Sequence, residues 1–357
     1  MTQLKRFQRA ISNSNFDAAI ISSELNQRYL SGFDYTDGYL LISADKAYLL
    51  ADFRYIESAK KEVADFEIIR PEGAMLDTIR ELIITNRFTN ICIEEAELSC
   101  EDFKKFSEKL CECSLVHGAS KMLSAQRMVK LPYEIELIQK AQEITDRAFE
   151  HILTFISLNV TETEVALELE FFMRKQGAEA TAFDTIAVSG CASSLPHGVP
   201  SNVKLRQGFL TMDFGAKYKG YCSDMTRTVV IGKADEEMKK VYDTVLSAQL
   251  AALEKMHGGM LCRDADELAR SIIRQAGYGA AFGHSLGHGV GMYIHESPSL
   301  SPRAAESACL EAGNIVTVEP GIYLEGKYGC RIEDMILIKE DGSIYNFTKS
   351  SKNLIEI

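Results

Sequence analysis

No stretch of this chain approaches the ~20 consecutive apolar residues that a membrane-spanning helix requires. Nothing after Met1-Thr-Gln-Leu-Lys-Arg-Phe resembles the apolar core of a signal peptide. Basic residues are in short supply: 39 Lys and Arg stand against 51 Asp and Glu, a net charge of −12. That balance argues against nucleic acid as the main partner, because phosphate neutralisation needs clustered cations. Paired metal-binding thiols are missing as well. The nine cysteines are an odd number, Cys111-Glu-Cys113 is too tight for the usual two-residue gap, and the others are scattered. The expectation is reduced, mostly buried thiols in a cytoplasmic protein with no membrane or nucleic-acid partner. Histidine is scarce too, and His295-Glu296 lacks the second histidine of an HExxH motif. A helical zinc-protease site is thereby excluded.

What remains is an ordinary globular composition, 46% hydrophobic and 25% charged, in a chain long enough for two domains. Residues 1–125 alternate short apolar runs suited to strands (Ala18-Ala-Ile-Ile, Tyr39-Leu-Leu-Ile, Ala47-Tyr-Leu-Leu, Asn90-Ile-Cys-Ile) with helical spacing over 56–63, 75–84 and 101–111. Periodicity is lost between Ala119 and Leu131, and Pro132 then opens a long amphipathic helix to about Phe155. A second domain, residues 126–357, contains a repeat of architecture. Helices from Pro132 and over about 161–176 precede one hairpin; helices over about 235–256 and 263–276 precede another. The offset of ~100 residues suits a pseudo-twofold α+β fold whose hairpins meet at the axis.

Each hairpin carries opposed acids. The first runs from Phe209-Leu-Thr-Met-Asp through Lys217-Tyr-Lys-Gly220 to Tyr221-Cys-Ser-Asp. With Lys217 to Gly220 as a four-residue loop, Asp213 faces Asp224. The second runs from Asn314 to Ile338, and a turn over Leu324 to Tyr328 sets Glu319 opposite Glu333. Favourable cross-strand pairs contribute only ~0.2–1 kcal/mol, and like charges directly opposed destabilise. Acids within apolar strands such as Thr317-Val-Glu and Arg331-Ile-Glu are costly unless paired. Two such clashes of one sign call for a divalent cation. Arg331, on the same strand face as Glu333, is placed to hold a carboxylate in position.

Three of the seven histidines, His284, His288 and His295, fall in the glycine-rich run Gly283–Glu296. Its four glycines argue against helix and for extended chain that approaches a neighbour closely. His197 sits in the turn-rich Ser194-Leu-Pro-His-Gly-Val-Pro; His117, His151 and His257 read as hydrogen-bonded surface residues.

The motifs Asp213-Phe-Gly, Ser223-Asp-Met-Thr-Arg-Thr, Gly287-His-Gly, Val318-Glu-Pro-Gly and Arg331-Ile-Glu-Asp, in that order, make the second domain resemble the pita-bread metallopeptidases: proline dipeptidases, aminopeptidase P and methionine aminopeptidases. Arg28-Tyr-Leu-Ser-Gly-Phe33 and Ala51-Asp-Phe-Arg-Tyr55 make the first domain similar to the smaller α/β creatinase-type N-terminal domain. That extra domain favours the Xaa-Pro peptidases. The resemblance implies Asp213, Asp224, His288, Glu319 and Glu333 as ligands of two divalent cations, with Asp224 and Glu333 bridging. An oxygen-rich shell with one imidazole suits Mn²⁺, with Co²⁺ or Zn²⁺ as alternatives. Two cations activate a water at neutral pH, and Glu319 is the implied proton shuttle. His197 and His295 match substrate and transition-state histidines, and His284 one that lines the proline side. The substrates implied are short proline-containing peptides, whose Xaa-Pro bond has no N–H to grip.

Some prolidases of the family have an arginine at the position of Ser299, where it would meet a product carboxylate; Arg303 is a nearby substitute. Its replacement by serine tilts the expectation towards an Xaa-Pro aminopeptidase, with an Xaa-Pro dipeptidase as the alternative. A metal-free creatinase-like C–N hydrolase and a non-catalytic relative are more remote, since all five ligand types are present. A homodimer is expected, with the N-terminal domain of one subunit walling the other's site through Asp34-Tyr-Thr-Asp37.

Overall fold

A computed structural model describes all 357 residues. The chain divides into two compact units, Met1–Arg127 and Met128–Ile357. The first unit is built on a six-stranded mixed sheet. Its order is Glu67–Ile69, Ala47–Leu50, Tyr39–Ser43, Ala18–Ile21, Asn90–Ile93, Ser114–His117. Ala18–Ile21 pairs antiparallel with Tyr39–Ser43 and parallel with Asn90–Ile93, and all four of its residues are buried. A strand covered on both faces reads as a continuous apolar run, which is why the four central strands are visible in the sequence. The two edge strands hold only two apolar residues each and are partly exposed, too short a run to give such a signal. Residues 119–131, where periodicity fails, hold a helix over Ala119–Met128.

The second unit carries the duplication. Helices Pro132–Phe155 and Glu162–Lys175 precede the first hairpin; Glu236–Lys255 and Cys262–Gln275 precede the second. Local chemistry sets their starts. Thr161 accepts from the Glu164 N–H while the Glu164 carboxylate accepts from the Thr161 N–H, and Asp235 accepts from the Met238 N–H. The halves even share an isolated bridge just ahead of the shorter helix, Thr161 with Lys204 and Leu261 with Cys309. Each half has its own core. Val165, Leu169 and Met173 pack with Leu210, Met212 and Phe214; Ala265, Ala269 and Ile273 pack with Val316, Val318 and Ile336. The hairpins then meet edge to edge, the Glu333 N–H donating to the Thr226 carbonyl and the Thr228 hydroxyl to the Arg331 carbonyl.

One hairpin has the expected register and the other does not. Val318 pairs with Asp334 and Gly321 with Arg331, a frame that sets Glu319 against Glu333. In the first hairpin Tyr218 pairs with Tyr221 and Asp213 with Thr226, so Asp213 is not opposite Asp224. The loop is two residues, Lys219 and Gly220, both at positive φ (48° and 88°), where the sequence reading took four. Strand faces alternate with a period of two, so a two-residue slip leaves Asp224 on the face of Thr226 and Asp213. The two acids become diagonal neighbours.

Candidate metal centre

Asp224, Glu319 and Glu333 occupy joints between ladder segments. Asp224 lies between Tyr221–Cys222 and Met225–Ile231, Glu319 follows Ile315–Val318, and Glu333 precedes Asp334–Ile338. Asp213 is on Gly208–Phe214 and His288 on the strand Gly287–Gly289, inside the five-stranded sheet. A Cβ on Gly287 would stand 2.0 Å from the Thr317 carbonyl oxygen, so the close approach that glycine permits is to a neighbouring strand. His288 N–H donates to Thr317 Oγ1 (3.1 Å), whose hydroxyl donates to Glu319 Oε1 (3.1 Å). The His288 ring directs Nδ1–H at the Gly289 carbonyl (3.1 Å). Nε2 therefore keeps its lone pair, 3.5 Å from Asp224 Oδ2 and 3.4 Å from Glu319 Oε1.

One ligand-type atom each from Asp224, His288 and Glu333 lie within 4.8 Å of one another. Burial raises the Asp224 carboxyl well above its ordinary range, and the charges of Glu333, Asp213 and Glu319 raise it further. Glu333 is raised by burial and then by Glu319 and Asp213, and Glu319 is pushed up to about 8 mainly by burial. Burial also presses His288 down to about 4, leaving a neutral imidazole. Two buried oxygens here, Asp213 Oδ1 and Glu333 Oε1, have no hydrogen-bond partner. Crowded acids with orphaned oxygens and one neutral imidazole form a donor set that fits divalent cations.

Arg331 sits behind this cluster. Its Nη2 donates to Asp213 Oδ2 (2.7 Å), Nε to Thr226 Oγ1 (2.9 Å) and Nη1 to Tyr323 OH (2.6 Å) and Pro196 O (3.3 Å). The Thr226 hydroxyl in turn donates a hydrogen bond to Glu333 Oε2 (2.7 Å). Tyr323 OH lies 3.0 Å from His284 Nε2, and His284 Nδ1 is 2.8 Å from the Ser285 carbonyl. Nδ1–H donating there leaves Nε2 to accept from Tyr323, in keeping with a ring held neutral by burial down to about 4. Arg227, almost fully buried, grips Asp334 (2.8 Å) and the Glu333 carbonyl (2.5 Å).

All nine residues singled out in the sequence line one pocket of about 600 Å³: His197, Asp213, Asp224, His284, His288, His295, Glu319, Arg331 and Glu333. His295 stacks edge-on against His288 at 4.3 Å. Ser299 lines the same pocket; Arg303 is exposed and does not. Thr226, Thr317 and Tyr323 were not anticipated. Thr226, two residues beyond Asp224, shares its strand face, the one signal that could have found it. Phe183, Ile186 and Ile294 add an apolar wall.

Residues 136–340 match the family model for Metallopeptidase family M24, and residues 3–129 match that for the Creatinase/Prolidase N-terminal domain. An Xaa-Pro dipeptidase of Pyrococcus horikoshii is 37% identical over 99% of this chain and 98% of its own. Among solved structures, an Xaa-Pro dipeptidase from Bacillus anthracis superposes with a TM-score of 0.95 at 40% identity, covering 99% of both chains. An X-Pro aminopeptidase from Thermotoga maritima gives 0.91 at 39% identity, over 99% of this chain and all of that one. Five ligand-type side chains, buried or half-buried, gathered by the two halves of a duplicated fold, and matches that run the length of both units, place the chain in metallopeptidase family M24, with the pita-bread fold and a creatinase/prolidase N-terminal domain.

Proposed function

We propose that this protein is an Xaa-Pro dipeptidase that uses two divalent cations, best served by Mn²⁺. The observation that carries the catalytic reading is the set of crowded, buried carboxylates with two orphaned oxygens, opening into a pocket of dipeptide scale. The dipeptidase reading replaces the aminopeptidase expectation. That expectation rested on Ser299 alone, and relatives named Xaa-Pro dipeptidase match essentially the whole chain.

In this reading Asp213, Asp224, His288, Glu319 and Glu333 would hold the cations. When bound, the cations polarise the scissile carbonyl and activate water without needing an amide proton. Glu319 carries a proton to the departing proline nitrogen. His197 and His295, with exposed rings at the pocket, donate to the substrate. His284 has both nitrogens engaged, so it offers its ring face to the proline alongside Phe183, Ile186 and Ile294. Arg331 holds the Asp213 carboxylate in its orientation through the Nη2 hydrogen bond.

The second reading, aminopeptidase, keeps two observations: no arginine stands where Ser299 lines the pocket, and the X-Pro aminopeptidase from Thermotoga maritima also matches along the whole chain. A length series decides between them. Purified, Mn²⁺-loaded protein is expected to cleave Xaa-Pro at least about tenfold faster, by kcat/KM, than Xaa-Pro-Yaa, a gap of roughly 1.4 kcal/mol. Equal or reversed rates restore the aminopeptidase. The proposal includes a homodimer in which Asp34–Asp37 of one subunit walls the partner's site; both acids are exposed and paired to Arg28 and Arg54.

A further inference from the structure

The segment from Ser189 to Ser201 leaves the strand Ile186–Ser189, makes a 3₁₀ turn over Gly190–Ser194, carries His197 past the pocket and returns. Both feet of this segment rest on one side chain. Glu162, the first residue of the helix Glu162–Lys175, is 3% exposed. Its Oε1 accepts from the Ser189 N–H (2.8 Å) and hydroxyl (3.1 Å), and its Oε2 from the Ser201 N–H (3.2 Å) and hydroxyl (2.7 Å). Main-chain bonds from the same helix start reinforce the second foot: Glu162 N–H to Val203 O and Thr163 N–H to Ser201 O, each 3.1 Å.

The top of the segment is tied to the other half of the fold. Ser193 Oγ accepts from the Gly329 N–H (2.9 Å), and the Pro196 carbonyl accepts from Arg331 (3.3 Å). His197, the next residue, is exposed, so its place over the pocket is inherited from this backbone. Burying a carboxylate against neutral donors alone is an expensive way to gain stability, since it gives up hydration without a counter-ion. The helix dipole offsets part of that cost at this first-turn position. What four convergent bonds supply is geometry: one rigid group sets the distance between the two feet and hence the path of the chain between them.

We propose that Glu162 is a positioning residue for His197, acting on the reaction through the loop and not through the cations. This rests on the reading of His197 as a substrate contact.

The test is a double-mutant cycle on the full-length, Mn²⁺-loaded protein, read with amide hydrogen exchange. Glu162→Gln keeps the shape of the side chain and turns one foot's acceptor into a donor. It is expected to lower kcat/KM on an Xaa-Pro dipeptide by about 10- to 100-fold with metal content unchanged. In a His197→Ala background the same change is expected to cost less than about threefold. Exchange should quicken over residues 189–201 and stay as in the wild type over the hairpin 208–231. Should Glu162→Gln fold poorly, Ser201→Ala removes a single donor and should show the same pattern in smaller degree. Full multiplication of the two losses, unchanged exchange in the loop, or loss of metal would each overturn the proposal. A wild type inactive on Xaa-Pro dipeptides would sink the substrate reading alone, because the exchange measurement needs no substrate.

Discussion

Four groups converge on the Arg331 guanidinium, and each belongs to a different part of the site: the Asp213 carboxylate, the Thr226 and Tyr323 hydroxyls and the Pro196 carbonyl. Residue spacing places Arg331 on the face of Glu333, which makes a supporting role readable. Its actual carboxylate, Asp213, is 118 residues away on the other hairpin, and no local pattern names it. The acids themselves were legible because an unpaired carboxylate in an apolar strand is too costly to be idle. From their crowding, Asp224→Asn and Glu333→Gln should each keep a folded protein while metal content falls and activity drops by more than ~100-fold. The amides preserve shape and remove the charge that a cation would neutralise. Elemental analysis beside a peptidase assay checks this, and full occupancy with wild-type turnover in either variant would remove these residues from the ligand set.

At the level of the element, the hairpins show what a sequence pattern can and cannot specify. Alternation tells which side chains share a face but not which ones pair, because a slip of two residues preserves every face. Turn chemistry decided the first hairpin, where the Lys219-Gly220 turn displaced the longer loop and made the acids diagonal. Gly215 then lets the returning strand close in: a Cβ there would sit 1.9 Å from the Ser223 carbonyl oxygen, backbone that cannot swing away. Gly215→Ala should therefore push apart the strands that carry Asp213 and Asp224. Its cost is expected at or above the upper end of the ~1–3 kcal/mol typical of overpacking. Thermal melting and metal titration read it; an unchanged melting temperature with wild-type metal affinity would show that the hairpin yields elsewhere.

Across the whole molecule, all five ligand-type residues come from the second unit, and the halves contribute Asp213 and Asp224 against His288, Glu319 and Glu333. The metal-free protein must hold these acids together unaided, and its stability should report that through pH. Glu319 titrates near 8 when folded against an ordinary 4.5, so the folded state binds the extra proton in that window. Its favourable contribution is complete below about 4.5 and is lost as pH rises towards 8. His284 and His288 oppose this lower down: depressed to about 4 from 6.5, they favour the folded state increasingly as pH climbs from 4 to 6.5. Above 6.5 the carboxylates act alone. Chelator-treated protein should thus lose melting temperature between pH 6.5 and 8, and Mn²⁺ should restore most where the loss is greatest. A flat or rising metal-free profile would mean the acids are not mutually destabilising.

By itself the sequence determined what periodicity and cost can encode: the buried central strands, the four long helices of the second unit, the duplication, and the acids and histidines unfit for ordinary burial. Those properties are local, carried by neighbours a few residues apart. The tertiary structure alone decided register, the pairing of Arg331 with Asp213, the buried Arg227–Asp334 contact and the grip of Glu162 on two distant serines. Each of these joins groups brought together only when two hairpins and their helices pack about a common axis. A carboxylate at the start of a helix looks like any capping acid until the fold delivers the partners it holds.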